Sequence, residues 1–238
     1  MEIKHTTKKA YTLLLDLIFP VLCIECGLDG SYLCAKCELR ISSIPKDQIC
    51  PSCTKPSPLG KTHPSCSDQF PLNGFIHALR YKDSTVKKLV ELFKYHGIKD
   101  ISQVAGKVMA QEIQNQSLTD YFSDFILVPI PLHPKRLKWR GYNQSELMAT
   151  EIAKNLNMKI DTSLLSKTKH STAQAKLNKR ERKENLIDAF AVNQSCQGKK
   201  ILIIDDVATT RSTLIQAASE FKKAQAVEVW ALTLGYED

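Results

Sequence analysis

Residues 201–214, ILIIDDVATTRSTL, place two adjacent carboxylates after four apolar residues and follow them with hydroxyls at Thr209, Thr210, Ser212 and Thr213. Burying a charge is costly unless something pairs with it, so the pattern suits a grip on a ligand. The apolar run predicts a strand over 200–206, and the periodicity predicts a helix over 210–223. The first turn of such a helix offers free N–H groups and the positive end of a dipole, which together attract phosphate. Asp205 and Asp206 repel phosphate but accept hydrogen bonds from a vicinal diol, directly or beside Mg²⁺. A phosphate joined to a sugar diol is a ribose 5-phosphate. The predicted ligand segment is therefore Asp205, Asp206, Val207, Ala208, Thr209, Thr210, Arg211, Ser212 and Thr213.

A second group of residues is spaced for metal. Cys23 and Cys26, Cys34 and Cys37, Cys50 and Cys53, and His63 and Cys66 form four pairs, each separated by two residues. Such a turn aims two ligands at one tetrahedral ion, and two turns close a site. The eight ligands suffice for two structural Zn²⁺ ions. The simplest assignment is sequential, Cys23, Cys26, Cys34 and Cys37 on one ion and Cys50, Cys53, His63 and Cys66 on the other; an interleaved one is open. Cys196 stands alone as an unpaired thiol. Zinc ribbons of this kind either bind nucleic acid or brace a domain with a small core.

A third signal is basic. No acidic residue occurs between Phe125 and Ser145, where Lys135, Arg136, Lys138 and Arg140 surround Trp139 near Tyr142. Residues 167–183 carry seven Lys or Arg against one Glu. Cations track a phosphate backbone and aromatic rings stack on unpaired bases, so single-stranded DNA and a pyrophosphate group are both suited to these stretches.

The chain of 238 residues has a formal charge of +8, with 43% hydrophobic and 24% charged residues. It is long enough to bury a core, and its charge favours a polyanionic partner. Residues 11–22 follow a basic start, but Asp16 and Pro20 interrupt the apolar run and no small-residue cleavage site follows. The run is also too short to span a bilayer. It reads as a short helix leading into the cysteines of a cytoplasmic protein. From Leu72 onward the patterns alternate: strands over 74–81, 125–132, 189–192, 200–206 and 226–234, and helices over 85–97, 101–115, 143–156 and 210–223. That alternation implies an α/β fold with a parallel sheet. No long repeat stands out. The boundary falls near Phe70, giving a zinc-ribbon unit over 1–70 and an α/β unit over 71–238.

These motifs resemble a known family. ILIIDDVATTRST resembles the fingerprint of type I phosphoribosyltransferases, which have a Rossmann-like parallel sheet. VPIPLHPKRLKWRGYNQSELMA (128–149), TAQAKLNKRERKENLIDAF (172–190) and the four metal pairs together resemble the ComF/GntX family, competence protein F or ComFC. The resemblance covers roughly residues 11–238. It implies a double zinc ribbon joined to a phosphoribosyltransferase domain, and a role in DNA uptake during natural transformation. Under it, Asp205 and Asp206 hold the ribose hydroxyls of phosphoribosyl pyrophosphate with Mg²⁺, and Lys135 and Arg136 lie on the pyrophosphate side. Arg140, Asn143 and Gln144 carry one family block, and Gln174, Arg182 and Asn185 the other. Lys135, Arg136, Lys138, Trp139, Arg140 and Arg182 are the expected contacts to single-stranded DNA, with other DNA-uptake proteins as further partners. The family has glycine where this chain has Arg211. Two roles follow: a transferase with an unidentified acceptor base, or a binding module that retains the pocket. No Walker loop, GxGxxG or HExxH motif occurs.

Overall fold

The computed structural model describes residues 20–44, 46–68, 70–167 and 189–237. The helix expected over 11–22 falls almost wholly outside them, as do Gln174, Arg182, Asn185 and most of the second basic stretch.

The N-terminal unit is nearly all loop, with α1 (Ala35–Ser42), a 3-10 turn (Pro58–Gly60) and α2 (Pro64–Ser67). It contains a short internal repeat. A shift of 27 residues carries Cys23 onto Cys50 and Cys26 onto Cys53, and the backbone hydrogen bonds shift with them. Cys23 N–H donates to Leu28 O and Gly27 N–H to Cys23 O; in the second copy Cys50 N–H donates to Lys55 O and Thr54 N–H to Cys50 O. The repeat explains Thr54, whose φ of 64° is unusual for a β-branched residue. Thr54 stands where the first copy has Gly27, at φ 75°.

The remainder alternates as β1 (Gly74–Arg80), α3 (Ser84–Tyr95), α4 (Ile101–Asn115), α5 (Thr119–Phe122), β2 (Ile126–Pro129), α6 (Pro134–Arg140), α7 (Gln144–Leu156), β3 (Lys159–Ile160), β4 (Leu165–Lys167), β5 (Phe190–Val192), β6 (Lys200–Ala208), α8 (Ser212–Lys223) and β7 (Glu228–Tyr236). Five strands form one sheet in the order β1-β7-β6-β2-β3, parallel throughout. The expected parallel α/β fold is present. The strand expected at 189–192 does not join that sheet: β5 pairs antiparallel with β4 in a separate two-stranded sheet.

Both faces of the large sheet are buried, as parallel strands require. Leu202, Ile204, Trp230 and Leu232 share one core with Val86, Val90 and Phe93 of α3 and Met148 and Ile152 of α7. Ile201, Ile203, Val229 and Ala231 share the other with Leu214 and Phe221 of α8. At Gly106 an added β-carbon would lie 2.4 Å from Glu151 Cβ, so glycine there permits α4 to pack against α7. The first ribbon shares the α3 and α7 core through Cys23, Leu33, Cys37 and Ile41. Arg40 reinforces that contact, pairing with Glu25 at 3.1 Å and with Asp83, the N-cap of α3, at 3.3 Å. The ribbons are thus seated on the α/β unit by packing as well as by chain connection.

Candidate functional site

Chain direction reverses between β6 and β2. β6 leads through α8 to β7 on one side, while β2 leads through α7 to β3 on the other. A crevice opens at the carboxyl ends of strands at such a switch point. Asp205 and Asp206 lie there, but inside β6 and not beyond it, because the strand runs two residues past the predicted end and Ala208 still pairs with Tyr236.

Successive residues on a strand point to opposite faces, and the two carboxylates accordingly have different partners. Asp205 Oδ1 accepts from Ser145 Oγ at 3.0 Å and from the Asp206 backbone N–H at 2.9 Å. Asp206 Oδ1 pairs with Lys94 Nζ at 2.8 Å. Burial, and then the neighbouring Asp206, push the Asp205 carboxyl up to about 7. Lys94 is held protonated by the charges of Asp206 and Asp205 against the opposing effect of its burial.

Lys94 carries no motif. Its signal is its phase: it follows Val90 by one turn and Val86 by two and falls on the apolar side of α3, where a lysine requires an acidic partner. Ser145 is the last residue of the Asn143-Gln144-Ser145 block. Asn143 caps α7, its side chain accepting from Ser145 N–H at 3.2 Å and donating to Ile130 O at 3.0 Å. The block therefore ties the start of α7 to the end of β2 and delivers Ser145 to Asp205.

Lys135 and Arg136 belong to the short helix α6. Pro134 opens α6, His133 Nδ1 caps it by accepting from Lys135 N–H at 3.2 Å, and Gly141, at φ 80°, ends it. Helical spacing puts Arg136 and Arg140 on one half-buried face and turns Lys135 and Lys138 toward solvent. Arg140 lies within reach of the charge of Asp206, and Lys167 on β4 lies near both Arg136 and Asp205. Among the described residues, Arg140 Nε and Gln144 Nε2 are buried donors without an acceptor. Trp139 is 68% and Tyr95 62% exposed, with ring centres 6.4 Å apart and the Arg140 guanidinium about 6 Å from each.

At the phosphate-loop end, Thr210 Oγ1 and Ser212 Oγ are 2.9 Å apart and Thr209 is exposed. Arg211 is the N-cap of α8 in the left-handed region, φ 58° and ψ 4°. Glycine adopts that conformation without penalty; a residue with a β-carbon does not. The guanidinium packs over the Tyr236 ring at 5.6 Å, with Nε and Nη1 buried and unpaired among the described residues.

The metal ligands gather in the sequential arrangement. Cys23, Cys26, Cys34 and Cys37 form one set and Cys50, Cys53, His63 and Cys66 the other, with the donor atoms of each set within 4.8 Å of one another. Tetrahedral Zn–S bonds of about 2.3 Å put the sulfurs roughly 3.8 Å apart, and Cys26 Sγ to Cys34 Sγ measures 3.7 Å. His63 Nδ1 faces Cys53 Sγ at 3.4 Å, while Nε2 lies 3.2 Å from Pro56 O. That carbonyl fixes the tautomer that leaves Nδ1 free to ligate. Both sets fit zinc, and each is closed by four protein ligands. Cys196 is buried and forms no disulfide.

Residues 14–68 match the double zinc ribbon domain family. The chain is 28% identical over 216 residues to DNA utilization protein YhgH of Escherichia coli K12, covering 89% of this chain and 83% of that protein. Competence protein F of Haemophilus influenzae is 24% identical over 90% of this chain and 97% of its own length. Competence protein ComFC of Bacillus subtilis is 27% identical over 85% and 83%. Among solved structures, a purine phosphoribosyltransferase from Pyrococcus horikoshii aligns with 57% of this chain and 73% of its own at 18% identity, with a TM-score of 0.35. The chain is a homologue of competence protein F, ComFC and YhgH along most of its length, with a double zinc ribbon at its N-terminus.

Proposed function

We propose that this protein acts in DNA uptake and utilization in the cytoplasm, binding phosphoribosyl pyrophosphate or a similar ribose 5-phosphate at the end of β6 and single-stranded DNA beside it. The observation that carries the ligand reading is that the α6–α7 segment next to Ser145, the partner of Asp205, holds two buried donors without acceptors, Arg140 Nε and Gln144 Nε2. Carboxylates suit a sugar diol, and unpaired N–H groups require an acceptor such as a phosphate oxygen. Thr209, Thr210, Ser212 and Thr213 hold the 5-phosphate at the start of α8. Arg136, Arg140 and Lys167 face the pyrophosphate. Asp205 and Asp206 also suit Mg²⁺ carried in with the ligand, since each has one oxygen outside its contact with Ser145 or Lys94. Such an ion would screen the diphosphate charge. The exposed Tyr95 and Trp139 rings flanked by Arg140 and Lys138 support the DNA reading, because bases stack on such rings without sequence preference.

Arg211 favours a binding module over a transferase, because it occupies the phosphate loop with a strained backbone and a bulky side chain. Calorimetric titration of phosphoribosyl pyrophosphate with Mg²⁺ tests the ligand reading. Saturable binding to the wild type, lost in an Asp205→Ala/Asp206→Ala double variant, is expected. Equal binding by both proteins would overturn it.

A further inference from the structure

Helix α3 joins the first metal set to the ligand crevice. Its N-terminal half rests on the first ribbon. Ile24 and Glu25 lie in the turn between the ligands Cys23 and Cys26, and both reach α3. Ile24 O accepts from Lys88 Nζ at 3.3 Å, and the Glu25 carboxylate accepts from the Thr85 hydroxyl. Arg40 follows the ligand Cys37 by one turn of α1 and donates to Thr85 Oγ1 at 2.9 Å, besides pairing with Glu25 and Asp83. Cys23 and Cys37 are themselves buried in the core they share with Val86, Val90 and Phe93. The other end of α3 stands at the crevice. Lys94 pairs with Asp206 at 2.8 Å, Phe93 O accepts from the Tyr142 hydroxyl, and the Tyr95 ring lies beside Trp139 and Arg140.

We infer that the metal-loaded first ribbon orders α3 and thereby positions Lys94 against Asp206, so that zinc at Cys23, Cys26, Cys34 and Cys37 and ligand at the end of β6 strengthen each other. Glu25 and Arg40 are positioning residues in this link. A small ribbon with four thiolate ligands takes its shape from its metal, so the contacts of Ile24, Glu25 and Arg40 depend on the ion. Helix α3 has 12 residues, a length that is marginal for an isolated helix in water, so its order depends on what it packs against. From Thr85 to Lys94 it rises about 14 Å, which spans the distance from ribbon to crevice. Loosening the start of α3 leaves Lys94 on Asp206 for less of the time. Without that ammonium, the adjacent charges of Asp205 and Asp206 repel an anionic ligand. Coupling between two binding sites is reciprocal, so bound ligand should also hold the first ion more tightly.

The second ribbon is fastened elsewhere. The Gln48 side chain donates to His77 O at 3.0 Å and accepts from His77 N–H at 3.1 Å, which ties it to β1. Asp47 lines a cavity with Arg80 and Tyr236 where this ribbon meets β1 and β7. Loss of the second ion should therefore loosen β1 and spare α3. The link from ribbon to Lys94 stands without any ligand; its effect on affinity rests on the ribose-phosphate reading above.

Hydrogen exchange followed by mass spectrometry on the zinc-loaded full chain tests the link. Cys23→Ser should lose protection over residues 85–95 while β6 and β7 stay protected. Cys50→Ser should keep protection over 85–95 and lose it over 74–80. Arg40→Gln, which retains both ions, should show the Cys23→Ser change in smaller degree, and it decides the matter if Cys23→Ser fails to fold. Unchanged exchange over 85–95 in Arg40→Gln or in folded Cys23→Ser, or an equal loss there in Cys50→Ser, would overturn the inference. Calorimetry then reads the consequence. Phosphoribosyl pyrophosphate with Mg²⁺ should bind Cys23→Ser about fivefold or more weakly than the wild type. The same change made in Lys94→Met should cost little more, because its effect runs through Lys94; additive losses would overturn that assignment. If the wild type binds no phosphoribosyl pyrophosphate, the ligand reading has failed, and the exchange result alone decides the link.

Discussion

Replacing Arg211 by glycine should stabilise the protein. At φ 58° the β-carbon of Arg211 is crowded by its own backbone, at a cost of about 1–2 kcal/mol. Two guanidinium nitrogens are buried without acceptors, each costing about 1 kcal/mol or more. Against this, glycine forfeits the cation–π contact with Tyr236, about 1 kcal/mol, and adds unfolded-state entropy worth roughly 0.5–1 kcal/mol. The net is a gain of about 1–2 kcal/mol, which for a chain of this size is a rise in Tm of roughly 2–8 °C. Differential scanning calorimetry of the zinc-loaded protein measures it. Arg211→Ala separates the causes, because it removes the guanidinium but keeps the β-carbon and its strain; it should gain less than glycine. A lower Tm for Arg211→Gly, or an equal or larger gain for Arg211→Ala, would refute the backbone argument. If the side chain also occupies the phosphate loop, Arg211→Gly should tighten phosphoribosyl pyrophosphate binding in the same preparation.

The Asp205 carboxyl titrates near 3.8 when unfolded and near 7 when folded, so between those values only the folded chain retains the proton. Its contribution to stability is full below about pH 4 and is lost as pH rises through 7; denaturant titrations should show that decline in the wild type and a flatter profile in Asp205→Asn. Mass spectrometry should find two zinc ions per chain, with Cys23→Ser and Cys50→Ser each losing one and retaining the other. Loss of both ions from either variant would contradict independent sites. Trp139→Ala should weaken single-stranded DNA binding roughly 5- to 100-fold with the salt dependence unchanged, because stacking contributes about 1–3 kcal/mol per base and releases no counterions. Fluorescence anisotropy across a salt series would expose a purely electrostatic role as unaltered affinity.

Much of this protein is legible in its residue order, because the relevant physics is local. Paired ligands separated by two residues aim at one ion wherever the chain goes, so the zinc ligands could be named from spacing. Continuous apolar runs such as Ile201–Ile204 declare strands buried on both faces, and the helix expected over 85–97, which spans Ser84–Tyr95, follows from the spacing of Val86, Leu89, Val90 and Phe93. The acidic pair with its hydroxyl loop marks a ligand segment for the same reason: all its groups lie within one strand, one turn and one helix start. The 27-residue repeat is faint in the residue order because it resides in backbone hydrogen bonds while most side chains differ between the copies.

Only the tertiary structure decided what faces those groups. Strand order brings β6 beside β2, and that adjacency carries Ser145 to Asp205 from 60 positions away. Lys94 reaches Asp206 because α3 packs on the sheet face to which alternation directs that carboxylate. Which cysteine set closes on which ion, which arginines of α6 turn inward, and the meeting of Asp47 with Arg80 and Tyr236 across the ribbon contact all depend on contacts between segments distant in sequence. Residue order records such contacts only as isolated misfits, a lysine on an apolar face or an arginine in a glycine's place. It gives no partner for them, because the partner is set by packing the whole chain.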